Sequence, residues 1–170
     1  MKIIAFLLLF LTACSTPLEQ AFVTEVVDGD TITIAGGARV RLLGINAPER
    51  GETGYEPPKN LLKQLILNKE VTLEQDGKNT DVYGRLLRHV FINNTLVTET
   101  LAEQGLVRAK FYVASEKYRN RIAEAESHAS TEGRGIWSLE TRQAQLQYHD
   151  SPAVSSPKKQ KRKKIYTAAK

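Results

Sequence analysis

The chain has one cysteine, Cys14, in 170 residues, so it can form neither an internal disulfide nor a zinc centre built on cysteines. Its three histidines, His89, His128 and His149, stand at no spacing that would let them share a metal, and they are expected to be structural or exposed. No apolar run reaches the roughly 20 residues that a bilayer core demands. A glycine-rich phosphate cradle, a dinucleotide fingerprint and a Ser-His-Asp arrangement are also missing. There is no internal repeat.

What is present begins with Lys2 and the apolar run Ile3 to Leu11, which ends in Leu11-Thr12-Ala13-Cys14. Residues 1–13 therefore read as an export signal and are set aside from the fold. The Leu-Thr-Ala-Cys ending resembles the bacterial lipobox, which implies a lipid attached at Cys14 and a membrane as partner. Ser15 after it implies the outer membrane where the cell has one, with the protein facing outside the cytoplasm. An ordinary signal with an incidental cysteine, hence a secreted chain, is the alternative.

Charge divides the rest of the chain. Residues 14–140 carry 15 Lys and Arg against 18 Asp and Glu, a net of −3, while residues 141–170 carry 8 against 1, a net of +7. The basic character lies in the last 30 residues, where Lys158-Lys159-Gln160-Lys161-Arg162-Lys163-Lys164 follows a stretch too poor in apolar residues to build a core. The expected organisation is a linker at 14–20, one domain at 21–140 and a disordered basic tail at 141–170. Such a tail either holds polyanions by salt-sensitive contacts or is solvated, or it rests on an anionic envelope.

Within the domain, Val23 to Val27 and Thr31 to Ile34 are rich in strand formers. Gly36-Gly37 before Arg39-Val40-Arg41-Leu42 is a two-residue hairpin signal. Alternation puts Arg41 on the face opposite Val40 and Leu42. Pro57-Pro58 opens a helix with Leu61, Leu62, Leu65 and Ile66 on one stripe. Strands follow at Val71 to Leu73 and Leu86 to Ile92, and the second turns at Asn93-Asn94 into Thr95-Leu96-Val97. A short helix ends near Gly105. A last helix is expected from about Ser115, as N-cap, to about Gly133, with Tyr118, Ile122, Ala125 and Ala129 inward and Trp137 packed just beyond. The class is α+β.

Two stretches carry chemistry: Arg41-Leu42-Leu43-Gly44-Ile45-Asn46-Ala47-Pro48-Glu49 and Asp81-Val82-Tyr83-Gly84-Arg85. With the turn Asp28-Gly29-Asp30-Thr31 they set carboxylates beside two arginines, the equipment for stabilising charge at a phosphodiester phosphorus. Together with Glu99-x-Leu-x-x-x-Gly105-Leu106 and Gly135-Ile136-Trp137, in this order and spacing, residues 21–140 resemble the thermonuclease family, the staphylococcal-nuclease-like proteins. The resemblance implies a five-stranded OB-fold β-barrel with three helices. It also implies calcium-dependent hydrolysis of DNA and RNA with little sequence specificity, to products ending in 3′-phosphate.

Carried over by position, the resemblance makes Arg41 and Arg85 the pair that holds the phosphate and Glu49 the residue that orients or deprotonates the attacking water. Asp30 takes the place of a calcium carboxylate, Ala47 offers its carbonyl, and Asn46 stands where a second carboxylate is usual. An amide oxygen coordinates without adding charge, so the expected calcium site is a looser one, with Asp28 and Glu49 able to assist. Tyr83 falls at a nucleotide-contacting position, and Phe111 and Tyr112 lie near another. Val82 departs from the basic residue usual between Asp81 and Tyr83. A monomer is expected. The rival readings are a non-catalytic OB-fold lipoprotein that binds nucleic acid or another envelope polyanion, and a bare scaffold whose only binding element is the tail.

Overall fold

The computed structural model describes residues 18–111, 117–138 and 143. Strands β1 (Leu18–Asp28), β2 (Thr31–Ile34) and β3 (Arg39–Leu42) form a meander, joined at Asp28-Gly29-Asp30-Thr31 and at Gly36-Gly37. After β4 (Ile45–Asn46) and helix α1 (Glu56–Ile66) come β5 (Glu70–Thr80), β6 (Leu86–Ile92) and β7 (Thr95–Leu96). Helix α2 (Val97–Glu103), strand β8 (Arg108–Ala109), helix α3 (Arg119–Thr131) and a 3-10 turn at Gly135–Trp137 complete the elements among the described residues.

The strand order is β3-β2-β1-β5-β6, and β3 then pairs with β6 in parallel through Val40↔Leu86 and Leu42↔Arg88. That last pairing closes a five-stranded mixed barrel, which with three helices is the expected OB-type architecture. Closure leaves an interior of alternating strand residues, Val23, Ile32, Val40, Leu73 and Val90, all fully buried. Leu62 and Ile66 of α1, Leu101 of α2 and Ile122 of α3 join the same core. Each such side chain stabilises the fold by about 1.5–3 kcal/mol through water exclusion.

Several boundaries differ from the sequence reading. β1 starts at Leu18, because Leu18–Phe22 pair with Glu74–Glu70, so the last three residues assigned to the linker belong to the barrel. Val97 is the first residue of α2 rather than the end of a strand. Leu96 and Val97 are both fully buried, and a strand would turn one of two successive side chains outward. α3 begins at Arg119, with Tyr118 at the N-cap position. The residues before it are held by the barrel instead. Tyr118 donates through its hydroxyl to Glu74 Oε2 at 2.7 Å, Lys117 Nζ donates to Glu74 Oε1, and the Lys117 N–H reaches Asp76 Oδ2 at 3.1 Å. Ser115, Tyr112, Cys14, His149 and all of the tail but residue 143 lie outside the described residues.

The motif glycines at 105 and 135 have a steric reason. A Cβ on Gly105 would sit 2.4 Å from the Arg134 carbonyl oxygen, and one on Gly135 would sit 2.2 Å from that of Gly105. The two backbones touch there, and the Ile136 N–H donates to the Gly105 carbonyl at 2.8 Å. Glu99 of the same motif pairs with Arg121, tying α2 to α3.

Candidate active site

The site is built where the β1–β2 turn, the β3–β4 segment and the loop before β6 meet. Gly29 is required by proximity: a Cβ there would lie 2.8 Å from Ala47 Cβ and 2.9 Å from Pro58 Cβ. The start of α1 and the Ala47 loop thus press onto the turn that carries Asp30. β4 pairs with β8 through Asn46↔Arg108 and Ile45↔Ala109, which fixes the backbone at Asn46.

Asp30 and Arg41 form an ion pair at 3.0 Å, each side chain only 12% exposed. Asp30 Oδ1 accepts from the Thr31 hydroxyl at 2.9 Å, and Oδ2 from the Ala47 N–H at 3.1 Å. Arg41 is held further by its Nη1 donating to the Leu42 carbonyl at 2.8 Å and its Nη2 to the Ile45 carbonyl at 2.9 Å. The guanidinium is therefore oriented before any substrate arrives. Removing either member of so shielded a pair strands a charge and costs about 3–5 kcal/mol.

Asn46 lies between these groups. Its Oδ1 accepts from Arg41 Nη2 at 3.3 Å, and its Nδ2 approaches the Ala47 carbonyl at 3.4 Å. Arginine has only donors, so the amide must turn its oxygen toward Arg41. The Ala47 carbonyl, a candidate metal ligand, consequently faces an N–H₂ group.

Arg85 is positioned by Asp81. The Arg85 Nε donates to Asp81 Oδ2 at 2.7 Å, while the backbone N–H groups of Tyr83 and Arg85 reach Oδ1 at 2.9 and 3.0 Å. Burial alone would raise the Asp81 carboxyl, but these hydrogen bonds and the Arg85 charge outweigh it and hold its pKa below the usual carboxylate range. The Arg85 Nη1 extends to the Thr31 hydroxyl at 3.4 Å, on the wall of the site. Glu49 is exposed at the mouth, where its N–H is held by Glu52 Oε2 at 2.9 Å.

One cavity of about 170 Å³ collects Asp28, Asp30, Thr31, Arg41, Asn46, Ala47, Pro48, Glu49 and Arg85. The sequence-predicted Arg41, Glu49, Arg85, Asp30, Asn46 and Ala47 are thus brought to one place. Tyr83 is not in this cavity. It stands 81% exposed beside it, with the Arg85 guanidinium 5.5 Å from its ring centroid. Phe111 packs on the core under the Arg119 guanidinium, 4.7 Å from its ring. His89 is buried and His128 exposed on α3. Sequence reasoning missed Asp81 as the holder of Arg85. It also missed the hydrogen bond from the Tyr55 hydroxyl to Asp28 Oδ1 at 2.7 Å.

A family model described as staphylococcal nuclease homologue matches residues 39–139. The chain is 38% identical over 128 residues to a thermonuclease of Staphylococcus intermedius, covering 70% of this chain and 76% of that one. It is 35% identical over 130 residues to a thermonuclease of Staphylococcus hyicus, covering 71% and 77%. It is 31% identical over 132 residues to an uncharacterized endonuclease of Haemophilus influenzae, covering 75% and 71%. On this barrel and these matches, the chain belongs to the staphylococcal nuclease family and is a hydrolase of the nuclease class.

Proposed function

We propose that the protein is a calcium-dependent nuclease of the cell envelope. In this reading it cleaves DNA, RNA or both with little sequence selectivity and leaves 3′-phosphate ends. The observation that carries the proposal is the single cavity shared by Arg41, Arg85, Glu49 and Asp30. Two guanidiniums and a carboxylate around a space large enough for one phosphate suit attack by water on phosphorus. Binding alone would gain nothing from Glu49, which repels a phosphate.

In the proposed reaction the forks of Arg41 and Arg85 take the non-bridging oxygens of the scissile phosphate, and their donors strengthen as charge grows on those oxygens. Glu49 takes a proton from a water positioned at the mouth. The water oxygen bonds to phosphorus as the bond to the 5′-oxygen breaks, and that oxygen leaves as the alcohol on taking a proton from solvent water, to which Glu49 returns the one it gained. Phosphate stays on the 3′ side. Asp81 keeps Arg85 in register, while Asp30 and the backbone carbonyls of Leu42 and Ile45 do the same for Arg41.

The donor set fits a hard cation. Asp28, Asp30, Glu49, the Thr31 hydroxyl, the Asn46 amide and the Ala47 carbonyl present oxygen, with no sulfur or imidazole in the cavity. Asp30, Asn46 and Ala47 are the residues we assign to calcium, which would supply Lewis-acid stabilisation of the phosphate charge. Asn46 would join them through the same amide oxygen that accepts from Arg41, which has a second lone pair to offer. Lipidation of Cys14 would anchor the mature, monomeric chain to a membrane outside the cytoplasm.

The test is cleavage of single-stranded DNA by the mature protein with calcium and then with chelator. Cutting only with calcium supports the proposal. Binding without cutting under both conditions overturns it.

A further inference from the structure

Beside the catalytic cavity runs a second, more open groove of about 550 Å³, lined by Gly37, Ala38 and Arg39 on one side and Tyr83, Gly84 and Arg85 on the other. Arg85 lines both spaces, so the two adjoin. Arg39 is exposed, and among the described residues it has no carboxylate within ion-pair distance. It lies two residues before Arg41 on β3, hence on the same face of the strand, about 6.5–7 Å along it. The parallel pairing starts at Val40↔Leu86, the residues that follow Arg39 and Arg85, and both arginines line the groove.

Three guanidiniums therefore line one surface. Asp30 answers Arg41 and Asp81 answers Arg85, but Arg39 adds a like charge with no carboxylate to offset it. Neighbouring like charges on adjacent strands destabilise a sheet unless an anion settles between them. The stem spacing of Arg39 and Arg41 is close to the step between successive phosphates of an extended single strand. Across the groove, Tyr83 is 81% exposed and offers an aromatic face on which a base can lie.

We propose that Arg39 binds the phosphate next to the scissile one, so that a single strand crosses the β2–β3 turn with a base against Tyr83. The inference rests on the nuclease reading above and names a subsite within it. It also gives the groove a cation from β3, where Val82 supplies none from the opposite loop.

The experiment compares wild type, Arg39→Ala, Arg39→Glu and Arg39→Lys on a dinucleotide and on an oligonucleotide long enough to fill both spaces. Binding of the oligonucleotide is measured in parallel, with chelator present, as a function of salt. The ratio of kcat/KM for oligonucleotide over dinucleotide is expected to fall about three- to tenfold in Arg39→Ala, through KM. It should fall further in Arg39→Glu and recover in Arg39→Lys. The slope of log affinity against log salt should shrink by about 0.7, the loss of one single-strand phosphate contact. An unchanged ratio together with an unchanged slope overturns the subsite. A wild type that binds but never cuts defeats the nuclease mechanism instead, and the salt slope still decides on Arg39.

Discussion

At the scale of single residues, the site depends on how each charged side chain is held. Arg85 contributes a fork already oriented by Asp81, so Arg85→Ala is expected to lower kcat by at least about 100-fold while the barrel stays folded. Circular dichroism beside the assay checks both halves of that statement. Glu49→Gln keeps the shape and removes the base, and a loss of similar size should appear in single-turnover rates. Asn46→Asp restores a negative ligand near Asp30. The calcium concentration for half-maximal activity should fall in a titration, and an unchanged value would remove Asn46 from the ligand set. That Arg41, Glu49 and Arg85 share one site was implied by their motifs, and one cavity collects them. The place of Arg39 was not implied, since a lone exposed arginine on a strand is ordinary until the fold puts it in one groove with Arg85.

At the scale of elements, the long signals were legible and the short ones were not. The proline-initiated α1 and the hairpin at Gly36-Gly37 follow from local chemistry, and both are found where expected. β4 and β8 are two residues each, too short for any periodicity, yet they fix the backbone under Asn46. Tertiary contacts at Glu74 and Asp76 likewise override the expected start of α3. The Gly105–Gly135 contact joins the end of α2 to the 3-10 turn after α3, and it leaves no room for a methyl group. Gly105→Ala is expected to destabilise the protein by about 2–4 kcal/mol, combining overpacking with a φ of +67°. A thermal melt of the variant should show a drop of about 8–20 °C.

At the scale of the whole molecule, stability should depend on pH through the cluster that fastens the start of α3 to the barrel. His89 is buried on β6 against Asp76, with Glu74, Lys117 and Tyr118 around it. Burial lowers its pKa, outweighing the pull of Asp76 and Glu74. The folded state therefore binds fewer protons than the unfolded one. Its contribution is complete above about pH 6.5 and is lost as pH falls from there toward the folded value. Glu74 acts in the same direction at lower pH. Burial would raise its carboxyl, but hydrogen bonds from Lys117 and Tyr118 prevail and lower it. Its share is lost as pH falls through the folded value. Urea midpoints measured from pH 8 to pH 2 should decline in two stages, one below about pH 6.5 and one below about pH 4.5, and His89→Gln should remove the first. Separately, deletion of residues 141–170 should leave cutting intact while weakening substrate binding and its salt dependence. Loss of cutting would show that the basic segment is part of the catalytic unit.

The sequence by itself determined the hairpins and the proline-opened helix, because alternation and turn chemistry act within short stretches of chain, and its ordered motifs carried the family likeness that implies the barrel and the candidate site. Only the tertiary structure decided that Asp81 grips Arg85, that Asn46 turns its oxygen to Arg41 and that Arg39 borders the same groove. The last of these depends on barrel closure, while the first two are contacts made within single short segments of chain. A parallel pairing of β3 with β6, more than forty positions apart, leaves no trace in any local pattern.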